Sequence, residues 1–287
     1  MIRRLIILLL IVGCASNIKK VISHYENGQI KEEQNYKDGK KHGKWIWYYK
    51  NGRLKFENNY QDGELNGKMT SYFENGQIES NINYKNGEKV GKLTQFDDNG
   101  NLRYEVNYNN GKRDGKLTNY YKNGQIYSVE NYENGELDGK STNYFENRQI
   151  KVEGNYKDGK KDGKWIWYYK NGRIKFENNY KDGILNGEMI SYFENGQIES
   201  DINYRDGEKV GKLSQYGENG DTRYEVNYKN GKREGRLTNY SGTGQIESEW
   251  NYKDGLEDGK WTYYNEDGSI IEELIYKDGE LIETKQY

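Results

Sequence analysis

The sequence predicts an all-β chain built from tandem hairpins, and three observations carry that reading. From Tyr25 onward the chain resembles itself every 24 residues without an insertion, and a fixed period of this order marks a repeat architecture. Within a unit, Leu54, Phe56, Asn58 and Tyr60 alternate with Arg53, Lys55, Glu57 and Asn59, the two-residue period of a half-buried antiparallel strand. Finally, 35 glycines and no proline in 287 residues suit a backbone that turns often and never interrupts its hydrogen-bond ladders.

Only 32% of the residues are hydrophobic, too few for a thick core. Disorder is not the alternative, because 29 tyrosines and a formal net charge of -2 are far from the aromatic-poor, highly charged composition of disordered chains. A thin aromatic core is the expectation. The balanced charge leaves no uncompensated basic stripe, so no nucleic-acid partner is expected.

Residues 1–13 read as a secretory signal: Arg3 and Arg4 precede the apolar run Leu5 to Val12, then Gly13, and the run is too short to span a bilayer as a helix. Ile11-Val12-Gly13-Cys14 resembles the bacterial lipobox. The resemblance implies that Cys14 becomes an acylated anchor, held at the membrane through its lipid, and Ala15 and Ser16 after it imply an outer-membrane lipoprotein of the cell envelope. With no second cysteine, no intrachain disulfide is available. Residues 14–24 read as a polar tether.

The repeats fill residues 25–287. Ten complete units start at positions such as Tyr25, Tyr49 and Phe73, and an incomplete eleventh, residues 265–287, reads as a cap. A second period lies over the first. Lys44 to Gly52 reads KWIWYYKNG and so does Lys164 to Gly172, which makes residues 25–144 and 145–264 duplicated five-unit blocks.

In each unit the Asn-Gly or Asp-Gly pairs, such as Asn27-Gly28 and Asp38-Gly39, supply the positive φ of tight hairpin turns and divide the unit into two strands. In the second strand Trp45, Trp47 and Tyr49 point one way, Ile46 and Tyr48 the other. The position of Tyr48 is aromatic in every complete unit, whereas that of Trp47 becomes Ser71, Gln95 or Asn119. Tyr48 is therefore scaffold and Trp47 is not. The first-strand tyrosine recurs from Tyr36 through Tyr156 to Tyr276, and a ladder of stacked tyrosines is the simplest core such units could share.

The run Tyr36-Lys37-Asp38-Gly39-Lys40-Lys41-His42-Gly43-Lys44 looks like the MORN repeat, and with the turn Glu26-Asn27-Gly28-Gln29-Ile30 it resembles the bacterial MORN-variant class often labelled as YwqK-type antitoxins. The resemblance implies an elongated, single-layer antiparallel meander of 22 strands, with contacts only between neighbours. Two sheets meeting near Tyr144 are the alternative. The chain departs from the pattern at His42, replaced by Asn66, Val90, Asp114 or Asp138 in other units, at Arg148 in place of a turn glycine, and at Glu283 in place of another.

No catalytic constellation stands out, so no enzyme, cofactor or metal is expected. His42 sits in a turn and its equivalents cannot act as bases or ligands. The Asp-rich turns lack the spacing of calcium-binding β-rolls. The residues left for recognition are Trp45, Trp47 and Tyr49, their copies Trp165, Trp167 and Tyr169, and Trp250 and Trp261. Aromatic side chains on a sheet offer large contact area at small entropy cost, although a wholly structural role is the stronger reading for them. The asparagines Asn35, Asn59 and Asn83 read as cross-strand amide bonding on a solvated face. The function expected is a membrane-anchored, non-catalytic scaffold that presents a repeat surface to a protein or glycan at the cell envelope. The alternative is an antitoxin or immunity-type protein that neutralises a toxin by binding it.

Overall fold

The computed structural model describes residues 17–287, so Cys14 and the signal segment lie outside the described residues. Among these, every regular element is a strand, 27 in all, in one antiparallel sheet whose consecutive strands pair as hairpins. The expected all-β meander is what the chain forms. The sheet runs unbroken where two sheets would have met, since Gly139–Tyr144 pairs with Ile150–Lys157. Two compact units divide after Lys112, the second running Arg113–Tyr287.

The strand count exceeds 22 for two physical reasons. Ile18–His24, read above as tether, is a strand paired with Ile30–Lys37. Its alternation of Ile18, Lys20 and Ile22 with Lys19, Val21 and Ser23 is too weakly amphipathic to have been recognised. In four units the second strand is also broken in two, as in Lys40–Lys41 and Gly43–Tyr48. The break is a bulge. Tyr36 pairs with Lys41 but Glu33 pairs with Ile46, so the second strand carries two extra residues, His42 and Gly43. Gly43 takes φ 69 there, a left-handed conformation that glycine adopts without a Cβ clash. The ladder asparagines serve this bulge: the amides of Asn59, Asn131 and Asn179 donate across the pair to the carbonyls of Lys68, Lys140 and Glu188, at 2.8, 2.6 and 2.8 Å.

The two turns of a unit differ. At Asp38-Gly39 both residues have positive φ, 50 and 79, the two-residue I′ geometry that matches strand twist. At Asn27-Gly28 only the glycine does. Gly28 donates to the Tyr25 carbonyl, Tyr25 to that of Gln29, and the Asn27 side chain accepts from the Gln29 amide, which is a three-residue loop closed by an Asx turn. Successive turns are tied together: Gly63 N donates to the Lys41 carbonyl at 2.9 Å, and the Asn27 and Asn75 amides donate to the Lys50 and Asp98 carbonyls at 3.1 and 2.6 Å. Arg148 occupies the left-handed position with φ 70. Because that conformation costs an L-residue about 1–2 kcal/mol, while glycine gives back part of the gain as unfolded-chain entropy, Arg148→Gly is expected to raise stability by about 0.5–1 kcal/mol in urea unfolding.

Both faces carry side chains that matter. Residues opposite one another share a face, so one face holds the pairs Trp45 with Asn58, Met69 with Ile82 and Leu93 with Val106 in the first unit, and Met189 with Ile202 and Leu213 with Val226 in the second. Ile202, Leu213, Val226, Leu237 and Tyr252 form its buried cluster, with Trp250 and Trp261 packed against it. The tyrosine ladder borders this row, but its rings do not stack on one another. A cation lies between rungs: the Lys41, Lys89 and Lys209 amines stand 4.9, 5.1 and 5.1 Å from the Tyr60, Tyr108 and Tyr228 rings, and Arg113 and Arg233 stand 5.2 Å from Tyr132 and Tyr252. In place of the expected stack, tyrosines alternate with Lys, Arg or Leu, and Tyr252 with Glu257, the cations being favoured by the ring quadrupole.

The opposite face repeats a Lys–Glu–Tyr group. Lys20 pairs with Glu33 at 2.6 Å and Lys140 with Glu153 at 2.8 Å, while Tyr48 and Tyr168 donate to the same two carboxylates at 2.8 and 2.7 Å. Burial first, then the hydrogen bond to the carboxylate, pushes each of these tyrosines up to about 12. The folded chain thus favours the neutral phenol. Its contribution is whole below pH about 10, the unfolded value, and is lost as pH rises through 12. Urea stability is expected to fall between pH 10 and 12, and less steeply in Tyr48→Phe/Tyr168→Phe. The same fall in that variant would refute the assignment.

Candidate functional site

The eight aromatic candidates separate by burial and by what their polar atoms do. Trp45 and Trp165 are 3% and 4% exposed and stand in the core, with little surface left for contact. The reason is the register: they stand in the middle row of the apolar face, between flanking tyrosines 5.2 and 5.0 Å away at Tyr36 and Tyr156. Their indole nitrogens donate to the Asn35 and Asn155 carbonyls at 2.8 and 3.0 Å. Trp261 makes the same bond to Asn251 at 3.2 Å and stacks on Trp250 at 4.8 Å, so this pair too belongs with the core. Tyr49 and Tyr169 are staples, donating to the Tyr72 and Tyr192 carbonyls 23 residues on at 2.8 Å. Tyr25 and Tyr121 make the equivalent bond at 2.7 Å.

Trp47 and Trp167 are different. Each is half-buried, and each stacks on the phenylalanine directly opposite, Trp47 on Phe56 at 4.2 Å and Trp167 on Phe176 at 4.5 Å, with interplanar angles of 21° and 22°. The stack buries one face of each ring against the other and joins the two side chains into one apolar plate two rings thick.

The register extends each plate into a row running across the strands. In the first unit Phe56 stands opposite Ser71, Ser71 opposite Ser80, Ser80 opposite Gln95 and Gln95 opposite Tyr104. In the second, Phe176 stands opposite Ser191, then follow Ser200, Gln215 and Tyr224. The two rows have the same composition, Trp-Phe-Ser-Ser-Gln-Tyr. Neighbouring serine hydroxyls meet at 2.7 Å in both, Ser71 with Ser80 and Ser191 with Ser200. A hydroxyl pair shares one of its two protons internally and keeps the other for an outside acceptor. In the second unit the row continues through Asn239, Ser248 and Tyr263 to Glu272. Its members are 9 or 15 residues apart in sequence, and only the bulge-corrected register brings them into line, so the alternation pattern alone does not show the row.

Lys161 lies 4.4, 5.1 and 5.0 Å from the Trp165, Trp167 and Tyr180 rings, and desolvation holds its amine below the usual lysine range. Among the described residues no three His, Cys, Asp or Glu side chains are placed to hold a metal ion.

Eleven segments of the chain, from 19–38 through 41–62 and at regular intervals to 257–278, match the family model described as MORN repeat variant. The chain belongs to the MORN repeat variant family. The first matched repeat of this MORN repeat variant, 19–38, takes in all but the first residue of the strand Ile18–His24. No curated protein matches it in sequence. Among solved structures it is similar to a TcdB2-TccC3-Cdc42 crystal structure, 11% identical over 90% of this chain and 18% of the other, TM-score 0.20. It is also similar to the Photorhabdus luminescens Tc holotoxin pore with the TccC3-D651A mutation, 11% identical over 91% and 16%, TM-score 0.18, and to a porin-like protein from Bacteroides uniformis, 9% identical over 93% and 92%, TM-score 0.14. This chain spans about a fifth of the length of the first of these, and scores so low transfer neither fold nor function.

Proposed function

We propose that this MORN repeat variant is a non-catalytic recognition scaffold, exported and held at the cell envelope, as an outer-membrane lipoprotein, by a lipid on Cys14, with a protein or glycan of the envelope as its partner. The observation that supports the reading is the pair of matching rows led by Trp47 and Trp167. The block duplication brings the six side chains to both places, and stability, which accounts for the middle row of each unit, does not by itself call for an aromatic stack and a serine pair on the neighbouring half-buried row. Elsewhere in that register other residues serve, such as Asn119 with Ser128 and Asn143 with Val152.

The test is capture from native membranes with the acylated protein and with Trp47→Ala/Trp167→Ala, both checked for cooperative unfolding. Loss in the variant of a component retained by the parent supports the reading; equal retention overturns the role of the rows. Metabolic labelling with an acyl donor, absent in Cys14→Ser, tests the anchor. The antitoxin alternative rests on the family resemblance, and rescue from a toxin by co-expression is its test.

A further inference from the structure

Resting on the recognition reading, we infer that each row is a track for an extended, uncharged, β-1,4-linked glycan laid across the strands, one chain on the row Trp47 to Tyr104 and another on Trp167 to Tyr224. Three features of the rows lead there.

Charge comes first. Neither six-residue row contains an ionisable acid or base apart from its terminal tyrosine, and the acids in this register stand beyond the rows, Glu32 opposite Trp47 in the first unit and Glu272 opposite Tyr263 in the second. The carboxylates and amines of the neighbouring strand positions are spent on the opposite face in pairs such as Lys164 with Glu177 at 2.7 Å. Lys161, which reaches the Trp167 ring, is shared among three aromatic faces. An acidic or basic polymer would leave its charges unpaired along the row, while a neutral one leaves none.

The second feature is spacing. Adjacent strands lie about 4.8 Å apart, so six consecutive row positions extend over about 24 Å. A β-1,4-linked sugar chain is an extended ribbon that advances by nearly one strand spacing per ring. Successive sugars therefore fall in step with successive side chains.

The third is the order of side chains. A pyranose presents apolar C–H faces and a rim of hydroxyls. The Trp47–Phe56 and Trp167–Phe176 stacks offer a sugar their apolar edges and what their stacking leaves of the outer faces, since each ring covers one face of the other, Tyr104 and Tyr224 offer an aromatic surface at the far end, and between them two serine hydroxyls and a glutamine amide supply donors and acceptors for the rims. An extended peptide would need backbone partners or side-chain pockets, and in the interior of a sheet the backbone groups are already paired.

The experiment is calorimetric titration of the full chain with cellohexaose and with the hexasaccharide of N-acetylglucosamine, beside their disaccharides and a neutral hexapeptide. At least one hexasaccharide is expected to bind at two equivalents per chain, on the order of ten-fold more tightly than its disaccharide and with little dependence on salt. Trp47→Ala/Trp167→Ala is expected to lose about ten-fold or more of that affinity, and Ser80→Ala/Ser200→Ala, which leaves the aromatic plates in place, about three-fold. Absence of hexasaccharide binding, affinity that does not grow with chain length, or affinity unmoved in both variants overturns the inference. Peptide binding without sugar binding also overturns it and leaves the recognition reading standing with a protein partner. Failure here together with unchanged membrane capture removes both.

Discussion

Trp165→Ala is expected to destabilise its part of the sheet by about 3–5 kcal/mol, the range for removing a buried tryptophan from a core that closes only partly over the cavity. The side chain is 4% exposed, contacts Tyr156 and Trp167 at 5.0 and 5.9 Å, and donates its indole proton to the Asn155 carbonyl. Its loss removes packing from both strand neighbours. In a repeat array each unit touches only its neighbours, so unfolding is local before it is global. The measurement is therefore hydrogen exchange resolved by segment: protection is expected to fall in Ile150–Lys157, Lys160–Tyr168 and Ile174–Lys181 and to persist in Thr222–Lys229. Trp167→Ala gives the contrast. It sits half-buried on the adjoining row, and its removal is expected to cost about half as much or less while carrying the effect on recognition. Equal losses for the two substitutions, or a loss for Trp165→Ala under about 1 kcal/mol, would contradict the division into core and plate.

That division marks the limit of what the sequence could tell. The repeat, the strands and the scaffold role of Tyr36 and Tyr48 are legible because a unit copied eleven times averages out its own irregularities, leaving Gly, Asn and Tyr where backbone and core require them. The assignment of faces is less legible. With Phe56 opposite Trp47, a regular ladder would set Leu54 opposite Tyr49, but a register shift between Trp47 and Tyr48 sets it opposite Tyr48. A second irregularity, at His42-Gly43, inserts two residues on the other side of the same strand. Each slip moves a side chain relative to its partner. Trp45 and Trp47 lie between the two slips, in regular register opposite Asn58 and Phe56, so alternation places both on one face and their spacing does not separate buried from half-buried. The cations between the tyrosines are illegible in the sequence for another reason. Lys41, Lys161 and Arg233 belong to a chain rich in balanced charge, and nothing local distinguishes a lysine lying over a ring from one in solvent.

Gly154 carries the second large effect, and it arises from the same packing. It stands in the interior of the strand Ile150–Lys157, with an unremarkable φ and no turn to make, yet a Cβ placed on it would meet the Trp165 ring at 2.2 Å. Gly154→Ala is therefore expected to cost about 1–3 kcal/mol, the range for overpacking a closed core. The cost is bounded by a rearrangement that the chain already exhibits. In the first block the same position is Gln34, and there Trp45 lies 5.2 Å from Tyr60, whereas Trp165 lies 6.4 Å from Tyr180. The indole beside a side chain sits closer to the following tyrosine with Lys41 still 4.9 Å from that ring, and Trp165 can move the same way beside Lys161, 5.0 Å from its tyrosine. Relief should come from shrinking the indole: Trp165→Leu, which installs the residue found at Leu213 and Leu237, should make the added Gly154→Ala nearly neutral. A double-mutant cycle measures this directly, with a coupling of about 1–2 kcal/mol expected between the two sites. Additive losses would mean that the glycine answers to the backbone instead of the ring.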